Sequence, residues 1–101
     1  MTYTWKDIFK KSQLHMTGQG RQSLFEIGDY YVSIVGGRQG LYGNFFDTFE
    51  VAILHKDKGN FVTKDVLDDE FYKGKKDDVL PYVETDEVVQ ILNKMEEKYG
   101  K

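Results

Sequence analysis

Cysteine is absent from this 101-residue chain, and proline occurs once, at Pro81. Without thiols there is no disulfide framework, no thiolate zinc site and no cysteine nucleophile. One proline marks no linker, and domains typically run to ~100–150 residues. A single domain over residues 1–101 is therefore expected. No apolar run approaches the ~20 residues that span a bilayer. The start, Met1-Thr2-Tyr3-Thr4-Trp5-Lys6-Asp7, lacks the basic-then-apolar order of a signal peptide. A cytoplasmic protein is the expectation. An excess of positive charge is missing too: 14 Lys and Arg stand against 17 Asp and Glu, a net charge of −3. Duplex binding rests on neutralising phosphates with Lys and Arg, so direct nucleic-acid binding is not expected.

Aromatic residues are abundant instead. Seven Tyr, seven Phe and one Trp make up 15% of the chain. They bury large area at low rotamer cost, so they can hold a small core together without disulfides. They are also enriched at protein interfaces. The charge is uneven. Residues 1–56 carry six Lys and Arg against five Asp and Glu, whereas residues 57–101 carry eight Lys against twelve acids. That balance favours a basic partner.

The hydrophobic pattern predicts an α+β fold in the order α-β-β-β-β-α. Thr4 followed by Asp7 marks a helix start. Trp5, Ile8, Phe9 and Ser12 then follow helical spacing, with an end near Gln13. Residues 23–27 and 30–35 alternate as two strands. The Gly28-Asp29 pair between them fits a primed hairpin turn with Gly first. Residues 48–54 read as a third strand. Phe61-Val62-Thr63 reads as a short fourth, and residues 64–84 as irregular. A second helix starts at Thr85, with Asp86 and Glu87 in its first turn and Lys94, Lys98 and Lys101 toward its end, as the macrodipole prefers. Val88, Ile91, Leu92, Met95 and Tyr99 form its apolar stripe. Hairpin links imply an antiparallel sheet of three to four strands. Both helices are expected on one face of it.

Catalytic and metal constellations are not found in the sequence. No G-x-S-x-G elbow surrounds Ser12, Ser23 or Ser33. His15 and His55 have no ligand at metal spacing. Glu26 and Glu50 fall on strands whose solvent face is their simplest home. A non-enzymatic protein without metal or cofactor is expected. Gly36, Gly37, Gly40 and Gly43, with Arg38 among them, form a glycine-rich loop, and such loops can cradle phosphate. Known phosphate loops lead into a helix, however, and here a strand follows. A wide connection between strands is the preferred reading; nucleotide or small-ligand binding is the alternative. The same loop carries Leu41, Tyr42, Phe45 and Phe46, which suit docking onto a protein.

The acidic stretch is the other candidate, with an ordinary solvated charged surface as its alternative. Asp68-Asp69-Glu70 precedes Phe71-Tyr72. Asp77-Asp78 precedes Tyr82, and Glu84, Asp86 and Glu87 lie just beyond. Arrayed carboxylates match nucleic-acid phosphates in sign and can engage the Lys and Arg groups that read them. The expected partner-binding residues are Asp68, Asp69, Glu70, Phe71, Tyr72, Asp77, Asp78 and Tyr82, with Arg38 and Tyr42 as a second contact. In size, composition and charge pattern the chain resembles the small, cysteine-free accessory proteins of phages and mobile elements, anti-CRISPR proteins among them. That resemblance implies a stoichiometric inhibitor of a CRISPR nuclease and assigns no residue a role. A homo-oligomeric structural protein, paired through a strand edge, is a further alternative.

Overall fold

The computed structural model describes residues 2–14, 20–37, 43–67 and 78–100. Among the described residues eight elements follow one another: α1 (Trp5–Lys10), β1 (Gln13–Leu14), β2 (Gly20–Ile27), β3 (Tyr30–Gly37), β4 (Thr48–His55), α2 (Thr63–Val66), β5 (Leu80–Glu84) and α3 (Thr85–Tyr99). The strands form one sheet in chain order, with every pair antiparallel. The architecture is the expected α+β one, with a helix at each end of the chain and four full strands between them.

Side chains alternate across a strand, and that alternation builds the core. Phe25 and Ile27 of β2, Val32 and Ile34 of β3, Phe49, Val51 and Ile53 of β4, and Leu80 and Val83 of β5 share one cluster. Ile8 of α1, Val88, Ile91, Leu92 and Met95 of α3, and Phe45 and Leu67 of the connections complete it. Each such side chain contributes roughly 1.5–3 kcal/mol on burial. Polar groups at the seams are satisfied. The Ser23 hydroxyl donates to the Ile8 carbonyl. Asn93 accepts from the Tyr3 N–H at 2.7 Å and donates to the Tyr3 carbonyl at 3.1 Å, which fastens the start of the chain to α3. Burial, then the neighbouring Glu96 carboxylate, pushes the Tyr3 phenol above its ordinary range.

The hairpin between β2 and β3 has the expected two-residue link, with Ile27 opposite Tyr30. Gly28 has φ +58 while Asp29 keeps a negative φ, the signature of a primed turn with Gly first. A Cβ on Gly28 would stand 2.0 Å from the Tyr99 carbonyl oxygen. The turn therefore seats directly on the end of α3.

Three local expectations change. Phe61-Val62-Thr63 makes only a single bridge, Leu54 to Phe61, before the one-turn helix α2. The reason is Thr63, whose buried Oγ1 accepts the Ile53 N–H at 2.9 Å and donates to the Asp78 carbonyl at 2.6 Å. A side chain thus does there what a strand backbone would do. The edge of β4 pairs instead with β5, inside the stretch read as irregular. Pro81 is tolerated because β5 lies at the sheet edge, where the register shifts between Phe49 and Val51 and Tyr82 takes φ 51. Finally, α1 ends at Lys10, short of Gln13, and Trp5 is 54% exposed instead of packing in the apolar stripe.

Candidate functional site

The described part of the connection into β4 is tied by hydrogen bonds centred on Asn44. The Asn44 Oδ1 accepts three backbone N–H groups, from Phe46 at 2.8 Å, Asp47 at 3.0 Å and Thr48 at 3.2 Å. Its Nδ2 donates to the Asp47 carboxylate at 2.8 Å, and the Asn44 N–H donates to the Thr48 hydroxyl at 3.2 Å. The Phe45 N–H donates to the Thr48 carbonyl at 3.0 Å. Asparagine suits this work because its short amide mimics a backbone turn.

This bonding sends two adjacent phenylalanines in opposite directions. Phe45 turns inward, edge-on to Phe9 at 5.9 Å and Phe49 at 5.2 Å. It holds φ 56, a left-handed conformation costing roughly 1–2 kcal/mol for a residue with a Cβ. Gly36 makes room for it, since a Cβ there would stand 2.5 Å from the Phe45 nitrogen. Phe46 points out and is 76% exposed. Strain of this kind persists where the surroundings over-determine it, and such places are often functional.

Carboxylates gather at the start of β4, one residue past Phe46 in sequence. Thr48 pairs with Glu84, which brings the start of β4 to the end of β5 and the first turn of α3. Asp47, Thr48, Glu84, Thr85 and Asp86 line a shallow cleft of about 290 Å³. Its described lining carries three acids and no base. Asp86 in the first turn of α3 also complements the helix dipole. Among the described residues no group of three or more His, Cys, Asp or Glu side chains is placed to hold a metal ion. The chemistry on offer is an exposed apolar side chain on a hydrogen-bonded loop, followed in the chain by an acid-lined cleft.

Of the residues singled out in the sequence, Tyr82 is described and 59% exposed on the edge strand. Asp78 is exposed, but it is tied into the fold: Lys64 approaches its carboxylate at 3.6 Å and Thr63 binds its carbonyl. Asp68, Asp69, Glu70, Phe71, Tyr72, Asp77, Arg38, Tyr42 and His15 lie outside the described residues. His55 is half-buried; its Nδ1 accepts the Asp57 N–H at 3.2 Å and its ring packs on Tyr30. Glu26 and Glu50 do not oppose each other, for Glu26 pairs with Tyr31 and Glu50 with Val35. Sequence reasoning missed Asp47 as the companion of Glu84 and Asp86. The signal available was Asn44 with Asp47 and Thr48 three and four residues on, an arrangement suited to an asparagine-capped turn.

Comparison with protein-family models, with curated proteins and with solved structures finds no match. Among the described residues no helix is long and apolar enough to cross a membrane.

Proposed function

We propose that the chain is a non-enzymatic protein-binding module that docks a basic partner surface on Phe46 and its acidic rim. One observation carries this reading: an adjacent buried–exposed phenylalanine pair on a loop held by one asparagine, beside three clustered acids. Exposed aromatics anchored in advance make binding hot spots, because little side-chain and loop entropy remains to be lost. Rim carboxylates then select a partner rich in Lys and Arg and speed encounter. The partner class favoured is the nucleic-acid channel of a nuclease, a CRISPR nuclease among the candidates, since carboxylates match the sign of the phosphates such a channel binds.

The test is quantitative capture of purified basic partners on the immobilised chain, at rising salt. Phe46→Ala is expected to weaken capture strongly. Asp47→Asn with Glu84→Gln and Asp86→Asn is expected to weaken it and flatten its salt dependence. A partner whose affinity ignores both variants overturns this assignment of the surface. A cleavage assay with an RNA-guided nuclease and equimolar chain separates the arms: undiminished cleavage removes the nuclease and leaves the docking surface standing.

A further inference from the structure

The surface around α1 is basic, opposite in sign to the cleft at Glu84. Lys6, Lys10, Lys11 and Arg21 are all exposed. Lys6 and Lys10 stand four residues apart, on one face of the helix. Arg21 joins them through the pairing of β1 with β2, which sets it opposite Leu14. Its Nε donates to the Ser12 hydroxyl and its Nη2 to the Ser12 carbonyl, both at 3.1 Å. Those bonds hold the guanidinium just beyond the end of α1 and leave its charge in place. Among the described residues no ion pair involves any of these four bases. The neighbouring acids are engaged elsewhere. The Asp7 carboxylate accepts the Thr4 N–H at 2.8 Å, and Glu26, whose carboxyl also feels Lys11, is paired with Lys56.

Trp5 stands among these charges. It is more than half exposed, and its ring meets Phe9 edge-on at 6.2 Å. Phe9 in turn packs on Phe45 and Phe49, so the indole is backed by the core. The Lys6 ammonium lies 5.8 Å from the indole centre. An exposed indole beside a cation receives a flat group that carries negative charge: the ring stacks, and the ammonium meets the charge.

We propose that this patch binds single-stranded nucleic acid, with a base stacked on Trp5 and phosphates on Lys6, Lys10, Lys11 and Arg21. Aromatic stacking beside a basic track holds single strands without reading their sequence. The net charge of −3 weighs against gripping a duplex, but a short strand asks only for a local surplus of bases. Six helical residues extend about 9 Å at ~1.5 Å each, room for about two or three stacked nucleotides. An acidic protein segment suits the patch less well, because carboxylate side chains give Trp5 nothing to stack on. An anionic membrane also suits it less well, because Trp5 is the only large apolar side chain that α1 exposes. None of these groups belongs to the docking surface at Phe46, so the two proposals stand or fall independently.

Trp5 is the only tryptophan of the chain, so its fluorescence reads the site directly. Titration with an oligothymidylate of about twelve nucleotides is expected to quench it saturably. Affinity is expected to fall about tenfold between about 50 and 200 mM salt, as neutralising about two or three phosphates requires. Lys6→Gln with Lys10→Gln is expected to weaken binding about tenfold at low salt and to flatten that dependence. Trp5→Ala, followed by anisotropy of a labelled strand, is expected to weaken it about fivefold or more, with folding checked by circular dichroism. Phe46→Ala is expected to leave it unchanged. Absence of saturable quenching, or indifference to the lysine variant or to Trp5→Ala, overturns the proposal. Equal affinity for polyglutamate or for phosphatidylglycerol vesicles also overturns it, and reassigns the patch to an acidic protein or to a membrane. So does a dimer mass in light scattering that the lysine variant returns to monomer, which assigns the patch to the acids of a second copy.

Discussion

The two ends of the sheet are finished in different ways. At one end the Gly28-Asp29 turn, the end of β4 and the end of α3 close on one another. Tyr30 packs edge-on to both Tyr99 and His55, the Lys56 N–H donates to the Asp29 carbonyl at 2.9 Å, and the Lys56 ammonium reaches the Gly28 carbonyl and pairs with Glu26. Polar and aromatic groups there are consumed within the molecule. At the other end the loop into β4 is also well bonded, yet it leaves Phe46 exposed one residue before Asp47, which shares a cleft with Glu84 and Asp86. Rigidity alone therefore does not separate structure from function in this fold. Under the docking reading proposed above, the direction in which the bonded loop points its apolar group does.

The largest expected effect falls at the closed end. Gly28→Ala forces a Cβ into the Tyr99 carbonyl at φ +58, and a loss of about 2–4 kcal/mol in chemical denaturation is expected. A near-neutral result would mean that α3 does not rest on the turn. Phe46→Ala reverses the pattern: unfolding free energy should move by under about 0.5 kcal/mol, while affinity for a basic partner should fall by about 2 kcal/mol or more. Asn44→Ala lies between them. Losing the acceptor of three N–H groups should cost about 1–2 kcal/mol in unfolding, and should weaken docking by freeing Phe46. If Asn44→Ala weakened stability but not docking, preorganisation would drop out of the comparison.

The smallest effect concerns the exposed Lys56–Glu26 pair. Its hydrogen bond holds the Glu26 carboxyl below the ordinary carboxylate range and raises the Lys56 ammonium above its own. For a lowered carboxyl pKa, the added stability is present above the unfolded-state value and lost as pH falls through the folded one. For a raised lysine it is present below the unfolded-state value and lost as pH rises through the folded one. The denaturation midpoints of the wild type and Glu26→Gln should thus differ slightly near neutrality and converge in both acid and strong alkali. A constant difference across that range would show that Glu26 acts through packing instead.

Elements written in local patterns are legible in the amino-acid sequence. The Gly28-Asp29 hairpin, the strand at 48–54 and the stripe of α3 follow from alternation, helical spacing and turn chemistry over a few residues each. What escapes depends on distant partners. β5 reads as irregular because Pro81 and its charged neighbours argue against a strand, and only the edge of β4 supplies the pairing. Thr63 carries no sign in sequence that its hydroxyl will replace a strand. Phe46 is legible as a loop aromatic, but its contrast with Phe45 needs Gly36, Phe9 and Phe49 in place. Asp47 joins Glu84 and Asp86 only through a pairing that spans 36 residues, Thr48 with Glu84.

The clamp between Tyr3 and Asn93 has a kinetic consequence. Each strand of the sheet pairs with its neighbour in sequence, so most loops closed on the way to the native state are short ones. The clamp joins positions 90 apart, and closing so long a loop brings its entropic penalty to bear late. The meander of β2, β3 and β4 is expected to assemble before the first dozen residues dock. The same order in reverse would let those residues peel away from α3 while the sheet survives, with native-state hydrogen exchange at Asp7 and Ile8 preceding that at Val32 and Ile53.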